Sequence, residues 1–153
     1  MTNPFPFVAG EVLTAADMNG IGESSTYTPT YTNFSLGNGS VIARFVRVQN
    51  LIYVATRIAC GSTSAFTGTQ MLISKPITGS TNNAGVLGTV VYFDASSGQQ
   101  FFGPIQNNLT TNVQLNLFLT NTTYAEIAFT TASIPMTLAV NDVISINYVY
   151  EAA

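Results

Sequence analysis

Strict alternation of apolar and polar positions organises most of this chain. "VIARFVRV" (41–48) puts Val41, Ala43, Phe45 and Arg47 on one face and Ile42, Arg44, Val46 and Val48 on the other. Gln49-Asn50 reads as a tight turn into "LIYVATRIA" (51–59), where Ile52, Val54 and Ile58 share a face, so the two runs predict a hairpin. "NVQLNLFLT" (112–120) alternates Val113, Leu115, Leu117 and Leu119 with Gln114, Asn116 and Phe118. "DVISINYVY" (142–150) alternates Ile144, Ile146, Tyr148 and Tyr150 with Val143, Ser145, Asn147 and Val149. Further strands are predicted in "QMLISKP" (70–76), "GVLGTVVYFD" (85–94), "QQFFGPI" (99–105) and "YAEIAF" (124–129). "TYTPTYT" (26–32) reads as an edge strand around Pro29. Between the runs lie "CGSTSAFTGT", "TGSTNNAG", "ASSG" and "QNNLTT", all turn chemistry, and "PMTLAVND" reads as a bend or a single helical turn. About eight strands at this spacing predict an all-β fold, an antiparallel β-sandwich of jelly-roll-like topology.

The front of the chain is written differently. In "MTNPFPFVA" (1–9), Pro4 and Pro6 push their neighbours toward extended backbone, which predicts an arm. In "GEVLTAADMNG" (10–20), Thr14 and Asp17 stand at the spacing of a capping box, and Asn19-Gly20 can end a helical turn. A helix of one or two turns is not stable alone, so this piece is expected to order against a surface. The expected division is therefore an attachment segment over 1–25 and a β-sandwich domain over 26–153.

Composition sharpens the picture. The chain has 153 residues, enough for one domain with a core, and 46% of them are hydrophobic. Only 7% are charged, against roughly 25% in an ordinary domain, so the polar surface must come from Thr, Asn and Ser. A surface with so little charge repulsion suits a fixed oligomer or an assembly better than a free monomer. Several strands, such as "VVYF" and the Tyr148–Tyr150 run, are apolar on both faces. Either a loop of the same chain or a neighbouring subunit must cover the second face, and the low charge favours the subunit. Arg44, Arg47, Arg57 and Lys75 are too few to track a nucleic-acid backbone, and no apolar run reaches the roughly 20 residues of a membrane span. The start lacks the basic stretch and apolar core of a secretory signal, so synthesis in a cytoplasm is expected. Cys60 is the single cysteine and reads as a small buried apolar residue.

Catalytic chemistry is poorly supplied. The chain has no histidine, which removes the Ser-His and Cys-His nucleophile pairs and histidine metal sites. The acids (Glu11, Asp17, Glu23, Asp94, Glu126, Asp142, Glu151) form no paired motif, although Asp94, Glu126 and Asp142 could meet in space. The residues therefore predict a protein that is not an enzyme and needs no cofactor or metal. Tyr27, Tyr31, Tyr92, Phe101 and Phe102 could stack on sugar rings, but core or subunit contact is the simpler reading of each. Loops 61–69, 79–85 and 95–99 are the candidates for binding a host-surface glycan.

Two stretches resemble a known family. "FPFVAGEVLTAADMNG" looks like the N-terminal segment of tailed-bacteriophage virion proteins, with its "G-x-x-L-T-A-x-D-x-N" core. "YTPTYTNFSLGNGSVIARFVRVQNLIYVATRIACGSTSAFTG" is similar to a β module of phage minor tail proteins and fibres, closed here by "MLISKP". The resemblance covers about residues 5–76 and implies a virion structural protein, often trimeric, located on capsid or tail. It could serve as a capsid decoration (cement) protein or as a short fibre or spike. Its attachment residues would be Phe5, Phe7, Val12, Leu13, Thr14, Asp17, Met18 and Asn19. The implied partners are two further copies of the chain, a phage capsid or tail protein and, in the alternative role, a host-surface glycan.

Overall fold

The computed structural model describes residues 22–83, 85–120 and 125–153. The expected arm and helical turn lie outside those residues. Within them the protein is an all-β, antiparallel sandwich built from one long curled sheet and one small one.

The predicted hairpin is its firmest part. Strands β4 (Ser40–Val48) and β5 (Leu51–Ala59) pair along their whole length, from Ser40 opposite Ala59 to Val48 opposite Leu51. Gln49 turns the corner at φ 54° and its carbonyl accepts from Arg47 Nε at 2.7 Å. The edge strand β1 (Ser24–Thr26) pairs with β4 on its outer side. On the other side of β5 lies the last strand, which for chain-order numbering is β12 (Val143–Glu151).

A meander completes the sheet. Strands β8 (Val86–Phe93), β9 (Gln100–Asn108) and β10 (Asn112–Thr120) follow one another, and β8 pairs with β12, so the C-terminal strand joins hairpin to meander. β10 divides its free side. Its first half pairs with the short β7 (Leu72–Ser74) and its second half with β11 (Ala125–Phe129). β2 (Tyr31–Thr32) closes the order against β7, while β3 (Phe34–Ser35) and β6 (Ala65–Phe66) form the small sheet.

Alternation decides what is buried. Ile52, Val54 and Ile58 from β5 meet Ile144, Ile146 and Tyr148 from β12, and all six are buried. Each such aliphatic side chain taken out of water contributes about 1.5–3 kcal/mol. Leu115 and Leu117 of β10 join the same core, as do Val90 and Tyr92 of β8. Cys60 is buried as the sequence predicts. Three of the aromatics considered for sugar stacking, Tyr27, Tyr31 and Phe101, pack against the core, and Tyr92 is inside it; burial of their large faces is worth more to the fold than display. Phe102 alone of the five is exposed. "PMTLAVND" contains no helical turn; Asp142 closes it as a bend, accepting from the Ala139 amide at 2.7 Å.

Candidate functional site

The expected attachment residues Phe5, Phe7, Val12, Leu13, Thr14, Asp17, Met18 and Asn19 all lie outside the described residues. What the sandwich itself offers is its loops, its acids and the face of the sheet turned away from the core.

The "LGNG" and "GST" stretches form a scaffold device. "LGNG" before β4 and "GST" after β5 are brought together by the hairpin, and their side chains interlock. The Asn38 amide donates to Thr63 Oγ1 at 2.8 Å, and Asn38 Oδ1 accepts from the Thr63 amide at 3.0 Å and from Thr63 Oγ1 at 2.9 Å. Asn38 Nδ2 donates to Ser62 Oγ at 3.1 Å. Glycine is required on both sides: a Cβ at Gly37 would strike Thr63, and one at Gly61 would strike Asn38. These motif residues therefore hold two loops against each other, and most of their bonding capacity is used in doing so.

The three candidate binding loops do not form one cluster. The Cys60 amide donates to the Asp142 carbonyl and the Ala95 amide to Asp142 Oδ1, so the loops after β5 and β8 sit at the beginning of β12. The Ser80 amide donates to the Glu151 carbonyl and Asn83 Oδ1 accepts from the Glu151 amide, which puts loop 79–83 at the end of β12. Nine strand residues, about 27 Å of chain, separate the two ends.

Two of the three acids that could have met are committed to structure in the same way. Asp94 Oδ1 accepts from the Ser96 amide at 2.8 Å, from Ser96 Oγ at 2.6 Å and from the Ser97 amide at 3.2 Å. These bonds from Ser96 and Ser97 hold its carboxyl down at about 2, which suits a turn former and makes it a poor base. Asp142 is buried, with one oxygen on Ala95 N and the other on Ala139 N. Glu126 stands apart on the β11 hairpin, exposed. Lys75 is buried too; its Nζ donates to Asn107 Oδ1 at 2.7 Å and to the Leu109 carbonyl at 3.1 Å, and lies 5.1 Å from the Tyr150 ring centroid. Burial lowers its pKa.

The outer face of β9, β10 and β11 is the most unusual surface among the described residues. Phe118 of β10 stands directly opposite Ile127 of β11, with Phe129 two residues along, opposite Asn116. Their exposures are 53%, 47% and 51%, and Phe102 of β9, also on the outer face, is 55% exposed. At their foot a row of amides is sealed in. Gln114 Nε2 donates to Asn116 Oδ1 at 2.6 Å and Asn116 Nδ2 to Gln106 Oε1 at 2.9 Å, leaving Asn116 wholly buried. β9 runs tight against β10 here, because a Cβ on Gly103 would meet the Asn116 carbonyl. No charged side chain stands on this face of the three strands; Glu126, their single charge, alternates to the other side. Among the described residues β11 pairs with β10 alone, so its far edge presents backbone groups that no other described strand pairs.

Comparison with protein families, curated proteins and solved structures finds no match.

Proposed function

We propose that this chain is a non-enzymatic structural protein of a bacteriophage virion. It attaches to capsid or tail through Phe5, Phe7, Val12, Leu13, Thr14, Asp17, Met18 and Asn19 and displays the sandwich as a decoration protein or short spike. The working form is a homotrimer. The observation that carries this reading is the uncovered Phe102–Phe118–Ile127–Phe129 face, which has no charge to keep it in water. Half-exposed, three phenylalanines and an isoleucine offer on the order of 400 Å² of apolar area. A standard interface takes about 800 Å² from each partner, a little over half of it apolar, so the patch is the size one such contact uses. Commitment of Asp94 and Asp142 to backbone amides supports a scaffold over a hydrolase.

Deleting residues 1–20 tests the assignment. The truncated chain should fold and remain soluble yet be missing from purified particles. Particles that carry it at the normal level would defeat the attachment role.

Binding of a host-surface glycan is the second reading. A separate feature of the sheet favours it.

A further inference from the structure

Of the four basic side chains, two are used internally: Lys75 inside the fold, and Arg47 on the Gln49 carbonyl. The other two stand together. Arg57 lies opposite Ile42 on β4 and Ser145 on β12, and Arg44 lies opposite Ala55, which faces Asn147. Arg44 and Arg57 are thus diagonal neighbours on the outer face, about 7–8 Å apart at their origins. With Ile42, Ala55, Ser145 and Asn147 they line a shallow recess of about 270 Å³. Among the described residues neither guanidinium forms an ion pair. Two like charges side by side, with no acid between them, do nothing for the sandwich.

The remaining groups are polar. Tyr53 Oη donates to Asn147 Oδ1 at 3.3 Å, and Asn147, which also lines the recess, keeps an Nδ2 donor beside that oxygen. Ser145 stands two residues along from Asn147 on the same face. Ala55 keeps the floor low between the two arginines.

We propose that this recess binds a carboxylate-bearing sugar ring, a uronate or similar acidic monosaccharide unit. The two planar guanidinium forks take the carboxylate, and Asn147 and Ser145 take ring hydroxyls. The volume lies just below the roughly 300–1,000 Å³ of larger ligand sites, which suits one ring. An acidic peptide fits less well. β5 and β12 are paired on both sides, and β1 covers the outer edge of β4 from Arg44 to Val46, so around Arg44, Arg57, Ser145 and Asn147 an extended peptide would find no edge to add to. The site deepens the glycan reading and lies on strands, away from the three loops.

The test uses the full chain labelled with ¹⁵N and follows the arginine Nε–H resonances while D-glucuronate is added into the tens of millimolar. Saturable shifts of Arg44 and Arg57, with D-glucose inert and acetate at least about tenfold weaker, are the expected result. Arg57→Ala and Arg44→Ala should each weaken glucuronate binding at least about tenfold with an unchanged amide spectrum elsewhere. Absence of shifts, equal response to acetate or glucose, or binding that survives both substitutions would overturn the site. Any of these failures leaves particle incorporation unaffected, so the virion reading is judged separately.

Discussion

Asn38 and Thr63, twenty-five residues apart, exchange three hydrogen bonds across the base of the β4–β5 hairpin. The arrangement explains why "LGNG" and "GST" occur together: one asparagine closes both loops, and glycines on either side leave it room. Each bond is worth about 0.5–1.5 kcal/mol net, so Asn38→Ala should cost about 1–3 kcal/mol of unfolding free energy in urea. Gly37→Ala should cost more, because it adds a backbone at φ 54° to a collision with Thr63. Equal stability of wild type and both variants would show that the loops do not depend on each other.

Asp94 makes stability depend on acid. Its folded pKa of about 2 lies below the unfolded value near 3.8, so its contribution is complete above that value and is lost as pH falls through about 2. Asp94→Asn removes the titration and keeps an acceptor for the Ser96 and Ser97 amides. Thermal midpoints of wild type and variant should therefore differ by a constant amount above pH 4 and converge toward pH 2. A gap that widens with acid would contradict the sign.

Cys60 should be unreactive while the protein is folded. Burial, with the neighbouring Asp142 carboxylate, pushes its thiol up to about 11, which leaves almost no thiolate at neutral pH. A disulfide reagent such as DTNB should label it only as fast as the chain unfolds, and urea should raise the rate steeply. Rapid labelling of the native protein would place the thiol at the surface.

What the sequence made legible follows from how each element is fixed. β5 and β12 are set by alternation over nine residues and were readable to within a residue of their ends. β3 and β6 are two-residue strands held by a Phe34–Phe66 contact between distant segments, and no local pattern announces them. β9 runs three residues past its expected end, through Asn108, because Gln106, Asn107 and Asn108 pair with Gln114, Val113 and Asn112 of β10 although their side chains carry no apolar alternation. Asn116 and Gln114 look like solvent-facing positions of β10, yet both are buried, because they pair with each other and with Gln106 under the phenylalanines. The apolar second face was legible as a pattern on β8 and β12. An uncharged group of exposed phenylalanines proved to be on β9, β10 and β11, where partner choice in the sheet decides it. The arginine recess depends on the register of three strands, β4, β5 and β12, and could not be assembled from spacing along one.

The claim that the uncharged phenylalanine face seats another copy of this chain is tested most directly by sedimentation equilibrium of the full-length protein. The account predicts a mass near three times 16.3 kDa for wild type, falling to a single chain when Phe118→Thr and Phe129→Thr are combined. A wild-type protein that stays at 16.3 kDa across the concentration range, or a double variant that assembles as well as wild type, would contradict it.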